Sequence, residues 1–272
     1  MPKSAVTGIS RYFRIRVVAI ASTLVFGAAA ALAGTAEPAT AAPAISIGTC
    51  EINDPYHLYA HQYSSDRVAG EYGQFITYNV TVPDISNEFS LSHLYIDVNT
   101  SNGNDINPFD GNYFIEVGYY KGEGGGSSKK NVSTPHYYRT FTDSSGYHEG
   151  DDSDFPDIGS TRLYELLYIG HNDNLGTDDW QYYYENLTTP RDTVHMNGFA
   201  WGHPLAGGEL DSEPGNVTQM EAHGVPSFEL ESRSSVWSNW TSSDTGTAAC
   251  AATGMTFRVI SAYQEFTATG SK

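Results

Sequence analysis

The 272-residue chain is poor in cysteine and in base: it has only Cys50 and Cys250, and 14 lysines and arginines against 32 aspartates and glutamates. Two distant thiols cannot build a cysteine zinc centre, which needs three or four converging donors. A formal net charge of −18 repels phosphate and anionic lipid, which excludes a nucleic-acid partner. No segment sustains a helical period, and no linker or internal repeat divides the chain. The serine-hydrolase elbow, the phosphate-binding loop and the dinucleotide fingerprint are all missing, so a serine hydrolase and a nucleotide enzyme lose their simplest support.

The one long uncharged run is Val17 to Gly34, and it follows Lys3, Arg11, Arg14 and Arg16. A basic start, an Ala- and Gly-rich apolar core and Ala39-Thr40-Ala41 before Ala42-Pro43 read as an export signal cleaved near Ala41, with Ala31 to Gly34 as the other candidate region. Cleavage leaves no membrane anchor. It also removes four bases and one acid (Glu37), so the exported part is more acidic still. In an exported protein two cysteines predict a Cys50–Cys250 disulfide, and closing so long a loop is worth on the order of 4–5 kcal/mol in the chain-entropy model.

What is abundant is strand chemistry. Tyrosine occurs 19 times, and Gly, Asn, Asp and Ser clusters punctuate short apolar alternations. Strands are predicted at 75–82, 92–98, 113–120, 136–142, 162–169, 180–185, 207–211, 227–232 and 256–265. Nine strands without helices to cover a parallel sheet predict a single all-β domain, an antiparallel β-sandwich of the jelly-roll or concanavalin-like kind. Its boundaries are expected at residues 68–272, with 42–67 as an N-terminal extension.

Few motifs carry chemistry. The acidic turns at 150–159 (GDDSDFPDIG) and 171–179 (HNDNLGTDD) read as solvated loops, since neither has calcium-loop spacing. His57 and His61 would share a helix face but lack the glutamate of the zinc-hydrolase motif, so they read as structural. The sequons at Asn79, Asn131, Asn186, Asn216 and Asn239 fit an Asn- and Thr-rich surface behind a bacterial-looking leader.

Two acids stand out. Glu116 sits in the aromatic run Tyr113-Phe114-Ile115-Glu116-Val117-Gly118-Tyr119-Tyr120, where alternation puts it on the face of Phe114 and Gly118. Glu209 follows Gly207-Gly208, which let backbone or ligand approach closely. On composition alone each reads as a surface residue, and spacing does not pair them.

An ordered series of short blocks does. Gly70-Glu71-Tyr72-Gly73-Gln74-Phe75, Val82-Pro83, Glu88-Phe89-Ser90-Leu91-Ser92, Ile115-Glu116-Val117-Gly118-Tyr119, Phe141-Thr142-Asp143 with Gly146-Tyr147, Trp180-Gln181-Tyr182, Gly207-Gly208-Glu209-Leu210 and Thr218-Gln219-Met220 follow one another across residues 68–240. In that order they resemble the neprosin domain, a family of secreted glutamic peptidases whose next strand begins "FSLSQ". Tyr119 stands where the family has Trp, Ala206 where plant members have an aromatic, and the family's internal "GCYN" cysteine is missing.

The resemblance implies a secreted, extracellular glutamic endopeptidase that cleaves peptide bonds, proline-containing ones among them, in acidic medium. It implies Glu116 and Glu209 as the catalytic pair, Tyr119, Gln219, Gly118 and Gly208 beside the substrate, no cofactor or metal, and a monomer acting on peptide or protein. Two carboxyls in close contact would share one proton and so supply a base and an acid. Two other readings stay open: a non-catalytic sandwich binding carbohydrate or a cell-surface polymer through its aromatics, and a glycosidase using the same acids at a set separation.

Overall fold

The structure is a computed structural model that describes residues 58–64, 66–98, 113–124, 130–151, 154–197, 200–232, 234–240, 245–249, 254–261 and 264–272. The expected leader, Cys50, Cys250 and His57 lie outside these residues.

Among the described residues the chain is all strand, in two antiparallel sheets. The first sheet has seven strands, ordered β14 (Thr245–Ala249), β1 (Leu58–Ser64), β10 (His203–Asp211), β3 (Phe89–Val98), β4 (Tyr113–Gly122), β5 (Val132–Asp143) and β6 (Gly146–Asp151). The second runs β15 (Thr256–Ser261), β16 (Glu265–Ser271), β11 (Gln219–Gly224), β2 (Gly70–Ile76), β7 (Thr161–Asn172), β8 (Thr177–Tyr184) and β9 (Asp192–Met196). A short β12 (Glu229–Glu231) adds to β2 and carries β13 (Trp237–Asn239).

Alternation decides which side chains are shared. Leu58, Ala60, Leu94, Ile96, Ile115, Val117, Tyr119, Tyr137, Ala206 and Leu210 of the first sheet meet Phe75, Tyr164, Leu166, Trp180, Tyr182, Tyr184, Met220, Ala222, Phe266 and Ala268 of the second in one buried core. Phe228, just before β12, fits its ring edge-on to Phe75 and close to Phe266. The expected antiparallel sandwich is the observed fold.

Several boundaries differ from the sequence reading. The first strand lies inside the segment expected as an extension, because Leu58–Ser64 pairs with both β10 and β14. The strand expected at 75–82 is Gly70–Ile76; beyond it the chain leaves the sheet, and the Val80 carbonyl is taken by Lys121 Nζ at 2.6 Å. The run 256–265 is two strands, with Gln264 N–H closing the turn on Ser261 O at 2.7 Å.

Phe228 packs against the rings of Phe75 and Phe266, so Phe228→Ala should cost about 3–5 kcal/mol of stability through the cavity it leaves. Urea unfolding measures this, and a loss under about 1 kcal/mol would contradict the packing described.

Candidate active site

The core uses one face of the seven-stranded sheet, and the other face carries the candidate residues. Its central cross-strand row is His61 on β1, Gly207 on β10, His93 on β3, Gly118 on β4 and Tyr138 on β5. Rings alternate with glycines because the strands leave no room: a Cβ at Gly118 would lie 2.0 Å from Ser92 O, and one at Gly207 would lie 2.1 Å from Ala60 O. Glu209 belongs to the row on one side, opposite Tyr59 and Leu91, and Glu116 to the row on the other, opposite Tyr95 and Thr140.

The two glutamates therefore bracket His93. Glu116 Oε1 accepts hydrogen bonds from His93 Nδ1–H and from the Tyr138 hydroxyl. Glu209 Oε1 lies 3.7 Å from Nε2 of the same imidazole and 3.7 Å from His61 Nε2. His61 and His93 face each other, Nε2 to Nε2 at 2.6 Å. Since His93 spends its Nδ1 proton on Glu116, its neutral Nε2 accepts and His61 Nε2–H donates.

Burial makes these contacts strong. His61 and His93 are 1% and 0% exposed, while Glu116 and Glu209 keep 6% and 8%, so the carboxylates are the edge of the cluster that solvent reaches. Burial first, and then the charge of Glu116, push the Tyr138 phenol well above its ordinary range, so it remains a donor. The contacts of Glu116 with His93 and Tyr138 are both made through Oε1.

The expected contact of one carboxyl on the other is replaced by an imidazole between them, because strand β3 lies between the two glutamates and they stand opposite Tyr95 and Leu91, on either side of His93. Of the four residues expected beside the substrate, only Gly118 lies in this row. Tyr119 faces the opposite side, where its hydroxyl donates to Ile76 O at 3.0 Å. Gly208 also faces inward: a Cβ there would lie 2.6 Å from Met220 Sδ. Gln219 is exposed on the second sheet, where it pairs with Thr81.

Sequence reasoning missed His93 and Tyr138 and misread His61. His93 stands at the glutamine of the "FSLSQ" block, which was the available signal. His61 is on a strand and not on a helix, so its partner lies across the sheet, 32 residues away. A further buried acid, Glu71, lies in the sandwich core away from this face, and burial pushes its carboxyl well above the ordinary range.

No family model matches the chain, and no curated protein matches it. Among solved structures it is similar to scytalido-glutamic peptidase with a peptide-based transition state analog, at 8% identity and TM-score 0.48 over 79% of this chain and 98% of that one. The same peptidase with a transition state analog inhibitor gives 9% identity and TM-score 0.48, with the same coverage. SCP-B, a member of the eqolisin family of peptidases, in complex with the tripeptide Ala-Ile-His, gives 8% and 0.46 over the same shares. At this level of likeness no residue role passes from those proteins to this chain.

In the acidic segment 171–179, Asp178 and Asp179 are engaged on opposite faces of the β7–β8 hairpin. Asp178 pairs with His171 at 3.1 Å and Tyr168 at 3.0 Å; Asp179 pairs with His195 at 2.6 Å, Asn172 at 3.0 Å and Thr177 at 3.1 Å. Burial pushes the Asp179 carboxyl up, but the bond from His195 and those from Asn172 and Thr177 outweigh it, and the group ends below its ordinary value. A carboxyl lowered in the folded state contributes stability above its unfolded value, about 3.9, and loses it as pH falls through the folded value. The stability gap between wild type and Asp179→Asn should therefore be widest near about pH 6 and close toward about pH 2. Urea titrations along that range test this, and a gap independent of pH would contradict it.

Proposed function

We propose that the chain is a secreted glutamic endopeptidase of the neprosin type, with Glu116 and Glu209 as its acid–base pair. The observation that carries this reading is the bracketing of one imidazole by two near-buried carboxylates on a single sheet face. A peptide laid over the His93 row meets Glu209 on one side and Glu116 Oε2 on the other, where flanking glycines keep the floor low.

The roles follow from the contacts. Glu209 takes a proton from water as that water attacks the scissile carbonyl carbon. Glu116 is held in place through Oε1 by Tyr138 and His93, and its Oε2 delivers a proton to the leaving nitrogen as the C–N bond breaks. Glu209 then gives its proton to solvent and Glu116 takes one up from solvent, which restores the starting state while His93 keeps its Nδ1 proton. No metal enters this cycle. The acidic surface keeps such a protein soluble in acidic medium, where its carboxylates are partly protonated.

Around the two glutamates Tyr59, Tyr63, Tyr95 and Tyr138 are buried at 4% exposure or less and offer no open stacking surface, which disfavours the binding-module reading there; Tyr147, farther along the same face beside Phe114, is 48% exposed. Export, the Cys50–Cys250 bridge and action on proline-containing peptides complete the proposal.

The test is hydrolysis of a proline-containing peptide by the exported protein, with products mapped by mass spectrometry, beside Glu116→Gln and Glu209→Gln. Each substitution should lower kcat by about 10²–10⁴-fold with the thermal midpoint little changed. A folded variant at full activity would sink the assignment of that glutamate.

A further inference from the structure

His61, His93 and Glu209 do more than surround the proposed reaction. Their three inward atoms, His61 Nε2, His93 Nε2 and Glu209 Oε1, form a small triangle with sides of 2.6, 3.7 and 3.7 Å. All three residues are buried and could hold one ion between them. The point equidistant from those corners lies about 2.0 Å from each, which matches zinc–nitrogen and zinc–carboxylate bond lengths.

We infer that His61, His93 and Glu209 form a binding site for a single divalent transition-metal ion of the zinc class. Two imidazoles and one carboxylate suit zinc, whereas calcium and magnesium call for oxygen donors. Three protein ligands are the number found in reactive zinc sites, whereas closed structural sites use four.

The surroundings are arranged as a metal site requires. A ligating histidine donates its other ring N–H to a carboxylate, which fixes the tautomer and raises the basicity of the ligating nitrogen. His93 does this through Nδ1 to Glu116, and Tyr138 steadies that carboxylate. Gly207 lies between the two histidines in the row, where any side chain would press on His61, since a Cβ there would lie 2.5 Å from its Cδ2. The ion replaces the proton held between the two Nε2 atoms, so binding releases one proton.

Resting on the peptidase reading, the ion would act as an inhibitor, since it occupies the carboxylate that activates water. The site itself does not depend on that reading.

The test is titration of the metal-free exported protein with Co²⁺, followed by visible absorption, with Zn²⁺ competition and calorimetric stoichiometry. One Co²⁺ per chain is expected, seen as new visible absorption and displaced by Zn²⁺. His61→Ala and Glu209→Gln should abolish it, Glu116→Gln should weaken it about 10–100-fold, and His171→Ala should leave it unchanged. Thermal midpoints of the metal-free variants separate lost ligation from lost folding, and His61→Asn is the milder substitute if His61→Ala does not fold. No Co²⁺ bound, or binding that survives in a folded His61 variant, would overturn the site. Peptide hydrolysis read in parallel keeps the two proposals apart: metal binding without hydrolysis removes the peptidase and leaves the site, whereas hydrolysis with no Co²⁺ bound removes the site and leaves the peptidase.

Discussion

Strand register across the seven-stranded sheet is the constraint on which everything at the site depends. The pairing of β1, β10, β3, β4 and β5 brings His61, His93 and Tyr138 into one row and sets Glu209 and Glu116 on either side of it. Because side chains alternate with period two, slipping any of these strands by one residue would send its polar group into the core and an apolar residue out. The inner face opposes such a slip: Ala60, Leu94, Val117, Ala206 and Leu210 are buried there at 0% exposure. The core thus holds the chemistry in place from behind.

The same alternation explains what was legible in the sequence and what was not. The all-β sandwich was readable from turn clusters and β-forming residues, and Glu116 was placed correctly on the face of Gly118. Tyr119 and Gly208 were expected beside the substrate because each shares a short block with a glutamate, yet residues an odd number apart on a strand point to opposite faces. Tyr119 instead bonds to Ile76 O across the core. Gln219 belongs to the other sheet, which no local pattern reveals. The partners of the glutamates come from three separate strands, so only long-range pairing brings them together. β1 in particular was hidden in a segment without clean alternation, since all seven of its residues are buried.

The acidic composition is distributed by environment. Many carboxylates serve solubility, but those near histidines are used for structure or chemistry. Asp178 and Asp179 each take an exposed histidine, His171 on β7 and His195 on β9, whereas Glu116 and Glu209 take buried ones. In a low-dielectric setting the second kind is worth more when satisfied and costs more when broken. A site made of such groups is rigid in the ground state and sensitive to whatever cation sits among them, whether a proton or a metal ion.

The most direct test of the central claim is a crystal structure of the exported protein with a peptide-based transition-state analogue bound. The account predicts the analogue lying across the His93 row, its tetrahedral centre within hydrogen-bonding distance of both Glu209 and Glu116 Oε2. An analogue seated elsewhere, or touching only one of the two glutamates, would contradict it.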